Sequence, residues 1–238
     1  MKPPYDPNHL RDKRYPNDWT HEDLEKFSET TKTRHGVTIP LNVEIKADQK
    51  ILDYSSIEEI LKKAQRYALF DCICRTRRGN CDAPLNVCIA LDEVADKTVE
   101  AGELNPRYAT YEEVLEAVKK GHREGLVLMA YSREETPYPT SICNCCTCCC
   151  TILGGILRFG VNMPISLITS DKVADHDAEK CISCGACIDR CHFDAWENVH
   201  EEIVFHQDRC FGCGNCVTTC PSRAITMKQR PMNTIKKE

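Results

Sequence analysis

The sequence lacks a surplus of basic charge, a long uninterrupted apolar run and any recognisable nucleotide-binding loop, and each absence removes a class of function. Lys and Arg number 31 against 36 Asp and Glu, giving a formal net charge of -5. No basic footprint therefore runs along the chain to follow nucleic-acid phosphates, and nucleic acid is not an expected partner. The N-terminus, MKPPYDPNHLRDKRYPND, sets prolines and charges where a secretory signal needs an apolar stretch. The longest apolar segment, residues 151–168, is broken by Arg158, Asn162 and Pro164 and is too short and too polar to span a bilayer. A cytoplasmic chain with no transmembrane segment is expected.

What the sequence has in excess is cysteine, with 18 in 238 residues. In a reducing compartment that density indicates metal ligation rather than disulfides. Spacing agrees, because Cys145-Cys146 and Cys148-Cys149-Cys150 crowd thiols too closely for pairwise bridging, whereas a metal site tolerates dense thiolates.

Residues 1–20 carry Pro3, Pro4, Pro7 and Pro16 among charges and read as an arm without a packed core of its own. Over residues 55–70, Ile57, Ile60, Leu61 and Ala64 fall at helical spacing behind a capping-box pattern, Ser56 with Glu59, so a helix is predicted. A second helix is predicted over 111–120, with Val114, Leu115 and Val118 on one face and Gly121 as its stop, followed by a strand over 125–131. A polar link over 170–180 leads into the last cysteine-rich block. The predicted division is an extension over 1–39, a Cys-rich α+β domain over 40–172 and a small module over 173–238.

That last block contains an internal duplication. Cys181, Cys184, Cys187 and Cys191 are repeated at one constant displacement by Cys210, Cys213, Cys216 and Cys220, and Gly185 and Gly214 each follow the second cysteine. A residue without a side chain at that position lets backbone amides approach a bound group. Three cysteines at intervals of three can wrap three irons of a cubane from one tight loop, and a fourth thiolate must arrive from elsewhere. Zinc sites would instead show two C-x-x-C pairs parted by a longer loop.

Residues 178–228 closely resemble the two-cluster bacterial-type ferredoxins, including Pro221 after Cys220 and a 195–205 stretch suited to a hairpin between the halves. In that family the fourth cysteine of each run ligates the other run's cluster. The resemblance therefore implies a dicluster ferredoxin-like domain with two [4Fe–4S] clusters, one on Cys181, Cys184, Cys187 and Cys220, the other on Cys210, Cys213, Cys216 and Cys191. His192 departs from the pattern, standing where the second run has Pro221. It either donates a hydrogen bond near the sulfurs of the second cluster or is an exposed turn residue.

Ten further cysteines lie outside the repeat: Cys72, Cys74, Cys81 and Cys88 in one block, and Cys143, Cys145, Cys146, Cys148, Cys149 and Cys150 in another. In an extended segment Cys72 and Cys74 would point the same way. Pro84 suits the first turn of a helix, which would set Cys81 before its start and Cys88 within it. If Thr147 caps a helix running into 152–159, Cys145 pairs with Cys149, and Cys146 with Cys150, on shared faces. These thiols suit an additional Fe–S cluster or zinc, the other reading being small buried hydrophobes. Arg75, Arg77 and Arg78 read either as an anion or acidic-partner site or as a solvated loop. With its C-x-C-R and I-C-N-C-C-like segments and terminal dicluster, the whole chain also resembles a group of prokaryotic 4Fe-4S binding proteins, which implies metal binding without specifying a reaction.

The fold expected is α+β, a Cys-rich N-terminal domain followed by the dicluster module. The function expected is one-electron relay to or from a larger oxidoreductase. An enzyme whose N-terminal cluster reduces a small substrate ranks second, and a redox sensor third.

Overall fold

The computed structural model describes residues 16–23, 25–26, 49–51, 54–131, 139–159, 170 and 172–230. Its N-terminal half runs β1 (Gln49–Ile51), α1 (Tyr54–Lys63), β2 (Tyr67–Asp71), α2 (Ile73–Arg78), β3 (Asn86–Leu91), α3 (Glu93–Ala101), β4 (Arg107–Ala109), α4 (Tyr111–Arg123), β5 (Val127–Tyr131), β6 (Ser141–Cys145) and α5 (Thr151–Phe159). The strands form one six-stranded antiparallel sheet in the order β1-β5-β6-β3-β2-β4. The C-terminal half adds β7 (Lys172–His176), α6 (Ala186–Arg190), β8 (Trp196–Val199), β9 (Glu202–Phe205), α7 (Asn215–Thr219) and β10 (Ile225–Gln229), with β7 paired to β10 and β8 to β9. The fold is α+β, and the β8–β9 hairpin lies where residues 195–205 suggested it. Among the described residues no helix is long and apolar enough to cross a membrane.

Alternation along the strands gives the large sheet two different faces. On one, Leu69, Ile89, Leu91, Leu128, Ala130 and Ile142 form a core with Ile57 and Leu61 of α1 and Val114, Ala117 and Val118 of α4. On the other, Ala68 and Ala90 pack against Ala95 of α3, while Val127, Met129 and Cys145 pack with Cys150, Ile152 and Leu153 around the start of α5. Phe193 and Phe211 from the ferredoxin-like half complete this second core.

Several boundaries differ from those read in the sequence. α1 begins at Tyr54, two residues before Ser56, and ends at Lys63. Residues 67–70 are strand instead, because Tyr67 and Leu69 face one core while Ala68 and Phe70 face the other. The amides of Gln65 and Arg66 leave the helical pattern to donate to Asp92 Oδ1 at 2.8 and 3.2 Å. Cys88 is not helical; it lies in β3, a buried central strand paired on both sides. The polar link over 170–180 contains β7. Residues 16–20 are not an unpacked arm either, since Arg78 stacks 3.7 Å from the Trp19 ring centre and Arg158 pairs with Asp18 at 2.9 Å. Residues 1–15 and 165–168 lie outside the described residues.

α4 carries a full capping box: Glu113 N donates to Thr110 Oγ1 at 3.2 Å, and Thr110 N donates to Glu113 Oε2 at 2.8 Å. It does not stop at Gly121 but continues to Arg123. Gly121 is needed for close approach, since a Cβ there would sit 2.2 Å from Oδ1 of the buried Asn144. Asn144 cannot simply turn away, because its Nδ2 donates to Val87 O at 2.7 Å. Gly121→Ala should therefore destabilise the protein by about 1–3 kcal/mol despite alanine's better helix propensity. Denaturant unfolding checks this, and an unchanged or raised midpoint would contradict the packing argument.

Candidate metal centres

Each C-terminal run is shaped by a glycine with positive φ, Gly185 at 77° and Gly214 at 76°, which opens a short helix carrying the third cysteine. Cys187 thereby sits in α6 and Cys216 in α7, and the fourth cysteines, Cys191 and Cys220, cap the helix ends. Cys181, Cys184, Cys187 and Cys220 line one cavity. Cys191 is instead close enough to Cys210, Cys213 and Cys216 for their charges to act on one another. The fourth cysteine of each run thus lies with the first three of the other run.

Burial pushes the Cys187 and Cys191 thiols up to about 11 and Cys213 to about 12, so without a metal these thiols hold their protons at neutral pH. Backbone amides already point at the two fourth sulfurs, with Ala195 N donating to Cys191 Sγ at 3.4 Å and Ala224 N to Cys220 Sγ at 3.3 Å. The two groups differ in position. Cys184 is exposed and Ile182 beside it is 64% exposed, whereas Cys210 and Cys216 are buried.

His192 fits neither of its two expected roles as stated. It is part-buried, and its ring nitrogens meet Thr147 Oγ1 at 3.2 Å and Gly125 O at 2.7 Å, across to the N-terminal half. Asn215 Nδ2 donates to the same Gly125 O at 2.8 Å and to Leu126 O at 3.3 Å. Arg190 adds a bond from Nη2 to His122 O at 2.9 Å. Residues flanking the cysteines of the repeat therefore fasten it to the turn between α4 and β5, a role the sequence offered no spacing to reveal.

The ten remaining cysteines separate into two groups. Cys81, Cys146, Cys148 and Cys149 have sulfurs all within 4.8 Å of one another, with Cys81 Sγ 3.8 Å from Cys146 Sγ and 3.9 Å from Cys149 Sγ. Asn80 Nδ2 secures this loop through Cys148 O at 2.8 Å. A hydrogen bond from Cys148, helped by the Arg75 guanidinium, holds the Cys146 thiol down to about 5, so it is a thiolate at neutral pH. Cys72, Cys74, Cys88, Cys143, Cys145 and Cys150 form the other group, on the sheet face that carries Val127 and Met129.

The local structure behind this division departs from expectation. Cys72 precedes α2 and Cys74 lies within it, so the two are not on an extended segment; they meet because Cys72 is the extended residue at the helix entrance. Thr147 does not start a helix, since 147–149 form a turn and α5 begins at Thr151. Arg75 is no solvated or partner-facing residue: it is 2% exposed, and its Nη1 donates to Asn144 O at 2.8 Å and reaches Cys146 Sγ at 3.8 Å. Arg78 pairs with Asp23 at 3.0 Å, and Arg77 alone of the three is exposed.

Asn215→Ala should leave the backbone amide beside Cys213 in place while removing the donor to Leu126 O. A stability loss of about 1–3 kcal/mol at unchanged iron content is expected, read by denaturant unfolding of the loaded protein. Loss of iron without loss of stability would show that Asn215 serves the cysteine loop rather than the junction.

Comparison with known proteins identifies one end of the chain. Residues 174–197 and 203–226 match the family described as 4Fe-4S binding domain, one segment on each cysteine run. None of the curated proteins compared with the chain matches it. The C-terminal region is accordingly a ferredoxin-type 4Fe-4S binding domain in two adjacent segments, joined to a Cys-rich N-terminal region.

Proposed function

We propose that the chain is an electron-transfer protein that holds two [4Fe–4S] clusters in its C-terminal region and exchanges single electrons with a redox protein or a larger oxidoreductase. The observation that carries this reading is the gathering of eight cysteines into two groups of four with the fourth members exchanged. Cys181, Cys184, Cys187 and Cys220 hold one cluster, and Cys191, Cys210, Cys213 and Cys216 the other. When bound, such clusters supply one-electron stations whose potentials follow charge, sulfur hydrogen bonds and exposure. The chain's part is to keep both groups at fixed separation, with Trp196, Ile203 and Ile225 buried in the shared core. The exposed Ile182 and Cys184 mark the side where a partner would approach. A cytoplasmic setting belongs to the same reading, because thiols at this density stay open for iron only where disulfides do not form.

The Cys81 group suits a further, mononuclear centre. Four thiolates around one ion at about 2.3 Å lie at the corners of a tetrahedron with edges of about 3.8 Å, matched here by the 3.8 and 3.9 Å from Cys81 Sγ to Cys146 Sγ and Cys149 Sγ. Zinc or a single iron fits, and Cys146 supplies a ready thiolate. A Cys148→Ser, Cys149→Ser double variant should lose about one metal per chain with acid-labile sulfide unchanged. Unaltered metal content would remove this centre from the proposal.

The exchanged ligation predicts that Cys191→Ala in the full chain damages the cluster of Cys210, Cys213 and Cys216 and spares that of Cys181, Cys184 and Cys187. Electron paramagnetic resonance of the reduced, anaerobically prepared variant distinguishes the two. Selective damage to the cluster of its own run would overturn the assignment.

A further inference from the structure

We propose that Cys72, Cys74, Cys88, Cys143, Cys145 and Cys150 form a second N-terminal metal site, separate from the Cys81 group, that takes a polynuclear iron–sulfur cluster. Only its relation to a neighbouring cluster rests on the dicluster reading of the C-terminal region. The six thiols close into a ring in which each contacts two others: Cys72 touches Cys74 and Cys88, Cys143 touches Cys88 and Cys145, and Cys150 touches Cys145 and Cys74. Strand register explains half of it. Ile89 pairs with Ile142 and Ala90 with Ser141, so the next position sets Cys88 opposite Cys143, and Cys145 follows two residues on along the same face.

The alternative is a ring of protonated thiols packed as small apolar groups. Arg75 speaks against it. Its guanidinium is 2% exposed, its Nε and Nη2 have no hydrogen-bond partner, and among the described residues no carboxylate pairs with it. The sulfurs of Cys72, Cys88 and Cys146 are its neighbours. Cys146 Sγ, 3.8 Å from Nη1, answers one side of this cation, but Nε and Nη2 stay buried without an acceptor, a cost that an anionic group held at Cys72 and Cys88 would remove. Other polar groups also meet the ring's sulfurs: Thr151 N donates to Cys74 Sγ at 3.5 Å, Thr151 Oγ1 lies 3.4 Å from the same sulfur, and Tyr131 Oη lies 3.8 Å from Cys145 Sγ.

Sulfur spacing decides the nuclearity. Among the described residues only the Cys81 group brings three or more sulfurs within 4.8 Å of one another, so the six do not converge on a single tetrahedral ion. In a cluster each iron takes its own terminal thiolate and the charge spreads over several metals and sulfides. The position is also suited to redox exchange. Cys143, Cys145 and Cys150 share an apolar core with Cys191 and Cys213, and the stacked rings of Phe193 and Phe211, 4.4 Å apart, belong to that core. Exchange between neighbouring clusters oxidises one by one electron as it reduces the other and breaks no bond, so the chain need supply only short separation and fixed sulfurs.

The test uses the full chain, anaerobically reconstituted with iron and sulfide. Wild type should hold more than the about eight irons of two cubanes, and a Cys143→Ser, Cys145→Ser variant should lose about four irons with as many labile sulfides while keeping the C-terminal signals. A folded variant with the iron and sulfide of wild type would overturn the proposal. If that variant does not fold, the wild-type count decides, and about eight irons with a spectrum fully accounted for by the C-terminal pair overturns it. Arg75→Met should also shift one redox signal to lower potential, as loss of a nearby positive charge requires, and an unchanged potential counts against the site. Failure of the C-terminal reading looks different: a Cys181→Ala, Cys213→Ala variant would then lose no iron.

Discussion

The pleat of β6 is the constraint on which the N-terminal half depends. In Ser141-Ile-Cys-Asn-Cys145 the side chains alternate, so Ile142 and Asn144 face α4 while Cys143 and Cys145 face the other way. Asn144 holds β3 through Val87 O and fits under Gly121, and its own carbonyl receives Arg75. A slip of one residue would turn both cysteines toward α4 and bury the amide among thiols. The same alternation separates the two thiol groups. Past the end of β6 the chain turns through Cys146, Cys148 and Cys149, which meet Cys81 beyond the edge of the face that carries Cys88.

A second constraint is the single carbonyl of Gly125, which accepts from both His192 and Asn215. One of these residues follows the last cysteine of the first run and the other lies between two cysteines of the second. Gly125 has φ of 79°, and a Cβ there would meet the Arg190 guanidinium at 2.7 Å. The cysteine loops of the ferredoxin-type region are thus held by the same bonds that seat it on the sheet, so their shape and their distance from the N-terminal thiols are fixed together.

The ferredoxin-type region was legible in the sequence because its chemistry is local: each run folds its own loop, and the glycine after the second cysteine is required by the backbone. Helix α4 was legible from the spacing of Val114, Leu115 and Val118 and strand β5 from its apolar run, again local signals, whereas the 195–205 hairpin followed from the resemblance to two-cluster ferredoxins. Less could be read where partners are distant. Cys88 was assigned to a helix because Pro84 suggested a helix start, whereas two flanking strands make 86–91 a central strand. Residues 67–70 continued a helical pattern until alternation against two cores claimed them. The arginines beside Cys74 looked alike in sequence, and only the tertiary contacts of Arg75 with Asn144 and Cys146 distinguish it from the exposed Arg77.

Exposure falls in one direction through the thiol groups. Cys184 lies at the surface, the Cys191 group is more enclosed, and Cys143, Cys145 and Cys150 sit behind Phe193 and Phe211. Low dielectric strengthens the action of any charge on a buried redox group. The guanidinium of Arg75 lies at this inner end, 3.8 Å from Cys146 Sγ, and the Thr151 amide meets Cys74 Sγ there at 3.5 Å. Both favour negative charge on the sulfurs they meet, while the burial of those sulfurs opposes added charge, so at the inner thiols the two effects are set directly against each other.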